Sequence, residues 1–155
     1  MIAVTSLEHI HKKGRFGNYQ KQDGKNLLQI SEVKNLTIIQ LVQYKRSKIQ
    51  PNTIKVEDLD LPLENQKVTA NKETRILWSA PRTWLIISSK KNIINNIKDK
   101  CDHENFAVTD ISHSRAVIQI KGLQAKEVLK KGCPININEI QVNNCAGTVF
   151  NGITV

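Results

Sequence analysis

The stretch that decides the fold runs from residue 74 to residue 88 and reads TRILWSAPRTWLIIS. Two runs rich in β-branched and aromatic residues, at 74–79 and 84–88, are separated by Pro81, Arg82 and Thr83. Runs of this composition are typical of strands, and a proline-led polar segment between them is typical of a tight turn. We therefore predict a β-hairpin here.

Upstream of the hairpin, residues 35–44 hold an almost continuous apolar and β-branched run. This composition favours a strand that is buried on much of both faces, with a helix as the less favoured alternative. Residues 51–72 are mainly polar and predict a connection with a few apolar anchors.

Downstream of the hairpin, the pattern changes from strand to helix. Three isoleucines lie on one helical face: Ile93, Ile94 and Ile97. Ser88 or Ser89 is suited to cap this helix, which we expect to end near Cys101 and to cover the sheet.

The second half of the chain repeats strand, turn, strand and helix. The predicted elements are a strand at 106–111, a turn at 112–114, a strand at 115–120, a helix from Gly122 to Gly132, and a last strand at about 148–155. This order predicts an α+β domain, with a largely antiparallel sheet and helices packed on one face.

Length and composition indicate one globular domain, since 155 residues with 39% hydrophobic residues can bury one real core. We place that domain at residues 31–155. Residues 1–30 are basic, show little apolar periodicity and predict an extended N-terminal arm suited to an acidic partner. A lysine-rich solvated face is the favoured explanation of the same charge.

The net charge of +9 raises nucleic acid as a possible partner. However, Lys greatly outnumbers Arg, aromatic residues are only 5%, and no nucleic-acid-binding module is recognisable. Specific nucleic-acid binding is therefore not our expectation.

No segment resembles a membrane span, and the N-terminus lacks the features of an export signal. The cysteines, Cys101, Cys133 and Cys145, show no CxxC spacing, so neither a disulfide framework nor a zinc knuckle is expected. These features predict a cytoplasmic protein without membrane contact.

The sequence shows no catalytic constellation. It contains neither a dinucleotide nor a P-loop glycine fingerprint. The Cys101-Asp102-His103 run does not predict a catalytic dyad, because such pairs are normally assembled from separate elements. His9 with His11 supplies too few ligands for a metal. We expect Asp110 and Ser112 to hydrogen-bond a tight turn rather than to form a triad with His113.

Trp78 and Trp84 flank the predicted turn and are candidates for contact with a partner. Two tryptophans beside a turn can stack on a pterin or flavin ring, but they are more typical of core or interface anchors. We predict that at least one of them faces a partner or covers a sheet edge, with Arg82 beside it. The competing account is that both lie in the core.

The hairpin and the following strand also resemble a known family, the gamma subunit of heterotetrameric sarcosine oxidase. The blocks that carry the resemblance are RILWSAPRTWL at 75–85, VTDISHSRAVIQIKG at 108–122, KGCP at 131–134 and CAGT at 145–148, with looser matches at Ser6, Leu7, His9, Ala125, Val128 and Leu129. Residues 15–58 match nothing recognisable.

The resemblance implies a fold similar to the folate-binding domain of the glycine-cleavage aminomethyltransferase. It also implies a non-catalytic subunit of a complex that oxidises sarcosine to glycine and passes the one-carbon unit to tetrahydrofolate or releases it as formaldehyde. FAD, FMN, NAD and tetrahydrofolate are then expected in the alpha and beta subunits, and this chain binds none of them. The candidate partner-contact residues are Trp78, Arg82, Trp84, His113 and Arg115.

Two departures from the family pattern matter. Aminomethyltransferases carry an acidic residue where this chain reads NGITV at 151–155, so folate-assisted acid catalysis is not expected. Family members also continue through another strand and a closing helix, so we expect an uncovered sheet edge. The alternative functions are a free-standing folate-binding aminomethyltransferase-like protein and, less favoured, a basic nucleic-acid-binding domain.

Overall fold

The computed structural model describes residues 5, 7–10, 12–14 and 28–155. The regular elements are β1 (Gln29–Glu32), β2 (Thr37–Gln43), β3 (Lys55–Val56), β4 (Leu59–Asp60), β5 (Val68–Ala70), β6 (Thr74–Ala80), β7 (Thr83–Ser88), α1 (Ile93–Lys100), β8 (Phe106–Asp110), β9 (Ile118–Lys121), α2 (Ala125–Gly132), β10 (Val149–Phe150) and β11 (Ile153–Thr154). The predicted α+β class is confirmed. Among these elements, neither helix has the length and apolar character needed to cross a membrane.

The described residues group into two compact units. The larger unit holds Asn35–Ser112 and Glu139–Gly147, and the smaller unit holds the described residues before Asn35 with His113–Asn138 and Thr148–Val155. The division into an arm at 1–30 and a domain at 31–155 stays a prediction. Residues 15–27 of that arm, and His11, lie outside the described residues.

The larger unit is built on a five-stranded sheet in the order β5-β6-β7-β2-β8, and every neighbouring pair is antiparallel. The predicted hairpin is present as β6 and β7, and Trp78 lies directly opposite Trp84. The strand predicted at 35–44 is present as β2, in the middle of the sheet. The connection predicted at 51–72 contains three short strands, β3 to β5, which polar composition alone did not indicate.

One face of this sheet carries the core. Along β7, Trp84, Ile86 and Ser88 are buried while the residues between them are only partly buried, as expected of a strand with one face on the core. Helix α1 buries Ile93 and Ile97, four residues apart, against the same cluster, so the prediction that this helix covers the sheet is confirmed.

The start of α1 differs from the prediction. The helix begins at Ile93 after Asn92, and not after a serine cap. The hydroxyl of Ser88 lies within the sheet, 2.8 Å from the hydroxyl of Thr74 on the opposite strand, and also accepts a hydrogen bond from the Lys90 N–H. The Ser88 hydroxyl, which the sequence suggested as a helix cap, is therefore bonded to Thr74 on the neighbouring strand instead.

The second strand–turn–strand pattern does not form a hairpin. Strand β8 pairs with β2, and β9 pairs with β1, which begins at Gln29 inside the predicted arm. The predicted last strand at 148–155 is a hairpin of β10 and β11 around Asn151 and Gly152, which both have positive φ. Asn-Gly is a strong signal for a two-residue hairpin turn, because both residues tolerate this conformation.

Candidate functional site

The turn of the β6–β7 hairpin consists of Pro81 and Arg82. Ala80 pairs with Thr83 across the turn, and a bulge follows between Trp78 and Ala80. Arg82 has φ 61°. Proline followed by a residue of positive φ is the pattern of a type II turn, which usually places glycine or asparagine second.

Two hydrogen bonds hold Arg82 in this unfavourable conformation. Its Nη1 donates to the backbone carbonyl of Tyr44 at 3.0 Å, and its own carbonyl accepts from the Gln43 N–H at 2.9 Å. The exposed guanidinium is therefore positioned by the end of β2.

The two tryptophans of the hairpin have different environments. Trp84 is 2% exposed, and its indole Nε1 donates a 2.8 Å hydrogen bond to the carbonyl of Pro62. This burial favours the competing account, in which Trp84 is a core residue, and contact of Trp84 with a partner stays a prediction. Trp78 is only half-buried.

A groove of about 550 Å³ lies beside the turn and is open to solvent. We call it the hairpin groove. Its apolar lining residues are Ile49, Pro51, Leu63, Trp78, Pro81 and Trp84. Its polar lining residues are Gln43, Ser47, Lys48, Gln50, Asn65 and Arg82. All of them belong to the larger unit.

The wall of the groove at residues 47–50 is fixed by a buried amide. Gln43, at the end of β2, donates from Nε2 to the carbonyl of Ile49 at 2.7 Å and to the hydroxyl of Ser47 at 3.3 Å. A buried polar side chain is stable only when such bonds are made, so Gln43 ties the loop to the sheet. Sequence reasoning missed Gln43, because one amide at the end of an apolar strand carries no recognisable signal.

The charge of the groove is positive. Lys48 and Arg82 line it, and Lys45 and Arg46 lie in the adjoining loop. No carboxylate of the described residues forms an ion pair with any of these four cations. Arg46 is held over the ring of Tyr44, 5.3 Å from its centroid.

The remaining two predicted contact residues, His113 and Arg115, belong to the smaller unit. Both side chains are exposed, in and after the turn Ser112–Ser114. They are not among the residues that line the hairpin groove. Whether they contact a partner stays a prediction.

Asp110 and Ser112 hydrogen-bond the turn after β8. The Ser112 hydroxyl donates to Asp110 Oδ1 at 2.5 Å and accepts from the Ile38 N–H at 2.9 Å. The Ser112 N–H also donates to Asp110 Oδ1. The prediction of a structural role is confirmed, because the hydroxyl donates within the turn and accepts from the backbone of β2.

Neither Cys101 nor Cys145 is an activated nucleophile. Burial raises the pKa of the Cys101 thiol to about 11, while His103 is exposed. Burial also raises the pKa of Cys145, whose Sγ contacts the carbonyl of Trp78 at 3.4 Å. A thiol with a raised pKa is protonated at neutral pH and is a poor nucleophile. Within residues 5–14 and 28–155, as far as described, no cluster of His, Cys, Asp and Glu is arranged to hold a metal ion.

Comparisons with known proteins give one sequence match and one structural match of interest. No protein-family model matches the chain. Over 85 residues it is 29% identical to the sarcosine oxidase subunit gamma of Corynebacterium sp. strain U-96. The match covers 53% of this chain and 42% of that protein, so it spans less than half the length of this curated relative.

The fold extends the likeness to nearly the whole chain. One chain of the heterotetrameric sarcosine oxidase from Corynebacterium sp. U-96, solved in complex with pyrrole 2-carboxylate, superimposes with a TM-score of 0.79. This match covers 99% of the present chain and 80% of that chain, at 21% identity. The chain is similar to a sarcosine oxidase subunit gamma. The family resemblance and the fold predicted from the sequence are thereby confirmed.

Proposed function

We propose that this gamma-subunit-like chain is a non-catalytic accessory subunit of a sarcosine oxidase complex. The complex demethylates sarcosine to glycine by oxidation, and the one-carbon unit goes to tetrahydrofolate or is released as formaldehyde. The alpha and beta subunits are its partners and hold FAD, FMN, NAD and tetrahydrofolate. This chain binds none of these groups and contributes surface that holds the assembly together.

The observation that carries the proposal is the combined likeness to sarcosine oxidase. The sequence resembles a subunit gamma, and the fold resembles a chain of a heterotetrameric sarcosine oxidase over 99% of this chain. Fold likeness alone leaves function open, because one fold hosts many activities. The matching subunit name makes the accessory role the best-supported one.

The chemistry of the described residues agrees with an accessory role. The thiols of Cys101 and Cys145 have raised pKa values. Residues 151–155 read NGITV and hold no carboxylate, whereas the resemblance to aminomethyltransferases would place an acidic residue in this segment.

Co-expression tests the proposal. The tagged chain is produced together with alpha and beta subunits of a sarcosine oxidase from the same organism, and the tag is used to purify the assembly. We expect a yellow complex that oxidises sarcosine, whereas the chain produced alone is colourless and inactive. Sarcosine turnover or bound flavin in the chain alone contradicts the proposal, as does failure to co-purify.

Two titrations separate the alternatives. Tight binding of tetrahydrofolate by the isolated chain would favour the free-standing transferase. A mobility shift that survives competitor DNA and weakens steeply with salt would favour a nucleic-acid binder. The accessory role predicts neither result.

A further inference from the structure

We infer that the hairpin groove binds an acidic segment of a partner subunit, with an apolar side chain of that segment seated on Trp78. The inference rests on the proposed accessory function and deepens it, because it names the surface of this chain and the chemistry of its occupant.

The apolar part of the groove supplies the seat. Leu63 is 55% exposed and Trp78 is half-buried, although both are large apolar side chains. Ile49, partly buried, packs against the core beside them. An apolar residue that covers such a surface removes it from water, which is the main source of favourable free energy in association.

The charges of the groove select an acidic occupant. Lys48 and Arg82 line the groove, and no carboxylate is among its lining residues. Glu64 is flanked in sequence by Leu63 and Asn65, yet it is not part of the lining. A carboxylate-bearing segment therefore meets cations that have no acidic partner in the described part of the chain, which favours association and suppresses basic partners.

The geometry favours a protein segment over a small molecule or a nucleic acid. The groove is partly open to solvent, whereas small-ligand sites enclose most of the ligand. Exposed amides of Gln50 and Asn65 can hydrogen-bond an extended backbone. Proteins that bind single-stranded nucleic acid commonly stack bases on exposed aromatic faces, and here Trp84 is buried with its indole N–H already bonded.

Arg82 is held in place before any partner arrives. Its guanidinium is tied to the Tyr44 carbonyl by one nitrogen, Nη1. Gln43 fixes the loop that carries Lys48 in the same way, through the carbonyl of Ile49. A cationic groove ordered in advance loses less conformational entropy when it binds.

The first experiment measures assembly with the flavoprotein subunits by titration at low and high salt. Lys48→Glu and Leu63→Asp are compared with Lys98→Glu, a matched charge reversal on α1 outside the groove. We expect both groove variants to weaken assembly by about tenfold or more, with a melting temperature close to that of the unmodified chain. We expect Lys98→Glu to assemble normally.

The second experiment identifies the occupant. A benzophenone amino acid replaces Leu63, and in a matched variant it replaces Val142, which is 90% exposed in the same unit and does not line the groove. We expect the probe at Leu63, and not the probe at Val142, to crosslink to an acid-rich peptide of a partner subunit.

The outcomes separate this inference from the function on which it rests. Normal assembly of both groove variants overturns the inference alone, as does a Leu63 crosslink to a basic peptide. An oligonucleotide whose binding is abolished by Lys48→Glu while assembly is intact also overturns it. A chain that assembles with no flavoprotein overturns both.

Discussion

The indole Nε1 of Trp84 donates a 2.8 Å hydrogen bond to the carbonyl of Pro62, and both residues are buried. Trp84 belongs to β7 in the core, whereas Pro62 directly precedes Leu63 in the wall of the hairpin groove. One contact therefore joins the core of the larger unit to the surface that we propose for the partner.

This contact predicts a stability effect of Trp84. Trp84→Phe leaves the Pro62 carbonyl buried without its donor and should lower the free energy of unfolding by about 1–3 kcal/mol. Trp84→Ala also leaves a cavity and should cost about 3–5 kcal/mol. Urea unfolding measures both. If Trp84→Phe is as stable as the unmodified chain while partner binding is lost, the core assignment is wrong.

The buried hydroxyl pair of Thr74 and Ser88 predicts a coupled effect. Ser88→Ala removes a hydrogen-bond partner from both Thr74 Oγ1 and the Lys90 N–H, whereas Thr74→Val affects only the hydroxyl pair. Each variant should lower the free energy of unfolding by about 1–3 kcal/mol, and Ser88→Ala should lower it more. In the double variant neither hydroxyl remains. Its loss of unfolding free energy should be smaller than the sum of the two single losses by about 0.5 kcal/mol or more. A double-mutant cycle in urea checks this, and strict additivity would contradict it.

The raised pKa of Cys101 predicts a loss of stability in base. The thiol has a pKa of about 11 in the folded chain against 9.0 for the unperturbed group, so the unfolded chain releases the proton first. The contribution of the protonated Cys101 thiol to the free energy of unfolding is therefore fully present below pH 9. It falls as pH rises from 9 towards 11. At pH 10 the loss should be about 1 kcal/mol relative to pH 8.

A Cys101→Ala variant is the control for this titration, because it lacks the thiol and shares all other titrating groups. Unfolding is measured by urea at pH 8 and pH 10 for both proteins. The unmodified chain should lose more stability than Cys101→Ala over this interval. Equal losses would show that the thiol titrates alike in both states.

Variants of Arg82 can measure backbone strain and side-chain contacts separately, because this residue has a positive φ and a side-chain hydrogen bond. Arg82→Ala removes the bond to the Tyr44 carbonyl and keeps the strain, whereas Arg82→Gly removes both. The glycine variant should therefore be the more stable of the two by about 1 kcal/mol. Thermal melts of the two variants measure the difference, and an alanine variant that melts higher contradicts the turn geometry.

At Gly132, the last residue of α2, we expect alanine to be less stable than glycine, contrary to the usual helix propensities. Alanine normally stabilises a helix by about 1 kcal/mol relative to glycine. Here an added Cβ would lie 2.5 Å from Cε2 of the Phe150 ring, so Gly132→Ala should instead destabilise the chain by about 1–3 kcal/mol. Gly147→Ala is the control, since nothing lies within 4 Å of its added Cβ. A stabilised Gly132→Ala variant would contradict the close contact.

Local sequence was sufficient for the strongest elements of the fold. The hairpin around Pro81, the strand β2 and the helix carrying Ile93 and Ile97 were all predicted, because hydrophobic periodicity and turn residues act over a few neighbouring positions. The role of Ser112 in the turn after Asp110 was predictable for the same reason. The family resemblance also came from the sequence, through the blocks at 75–85 and 108–122.

Contacts between distant segments were decided only by the tertiary structure. Strand β1 forms because residues 118–121 lie beside it, and the Ser88 hydroxyl joins Thr74 instead of capping a helix. Trp78 and Trp84 look equivalent in the sequence. Only Trp84 is fully buried, with its indole N–H bonded to the Pro62 carbonyl, whereas Trp78 is half-buried. The hairpin groove likewise depends on Gln43 holding the loop at Ile49. Burial and hydrogen-bond partners are properties of the packed chain, so no local pattern in the sequence specifies them.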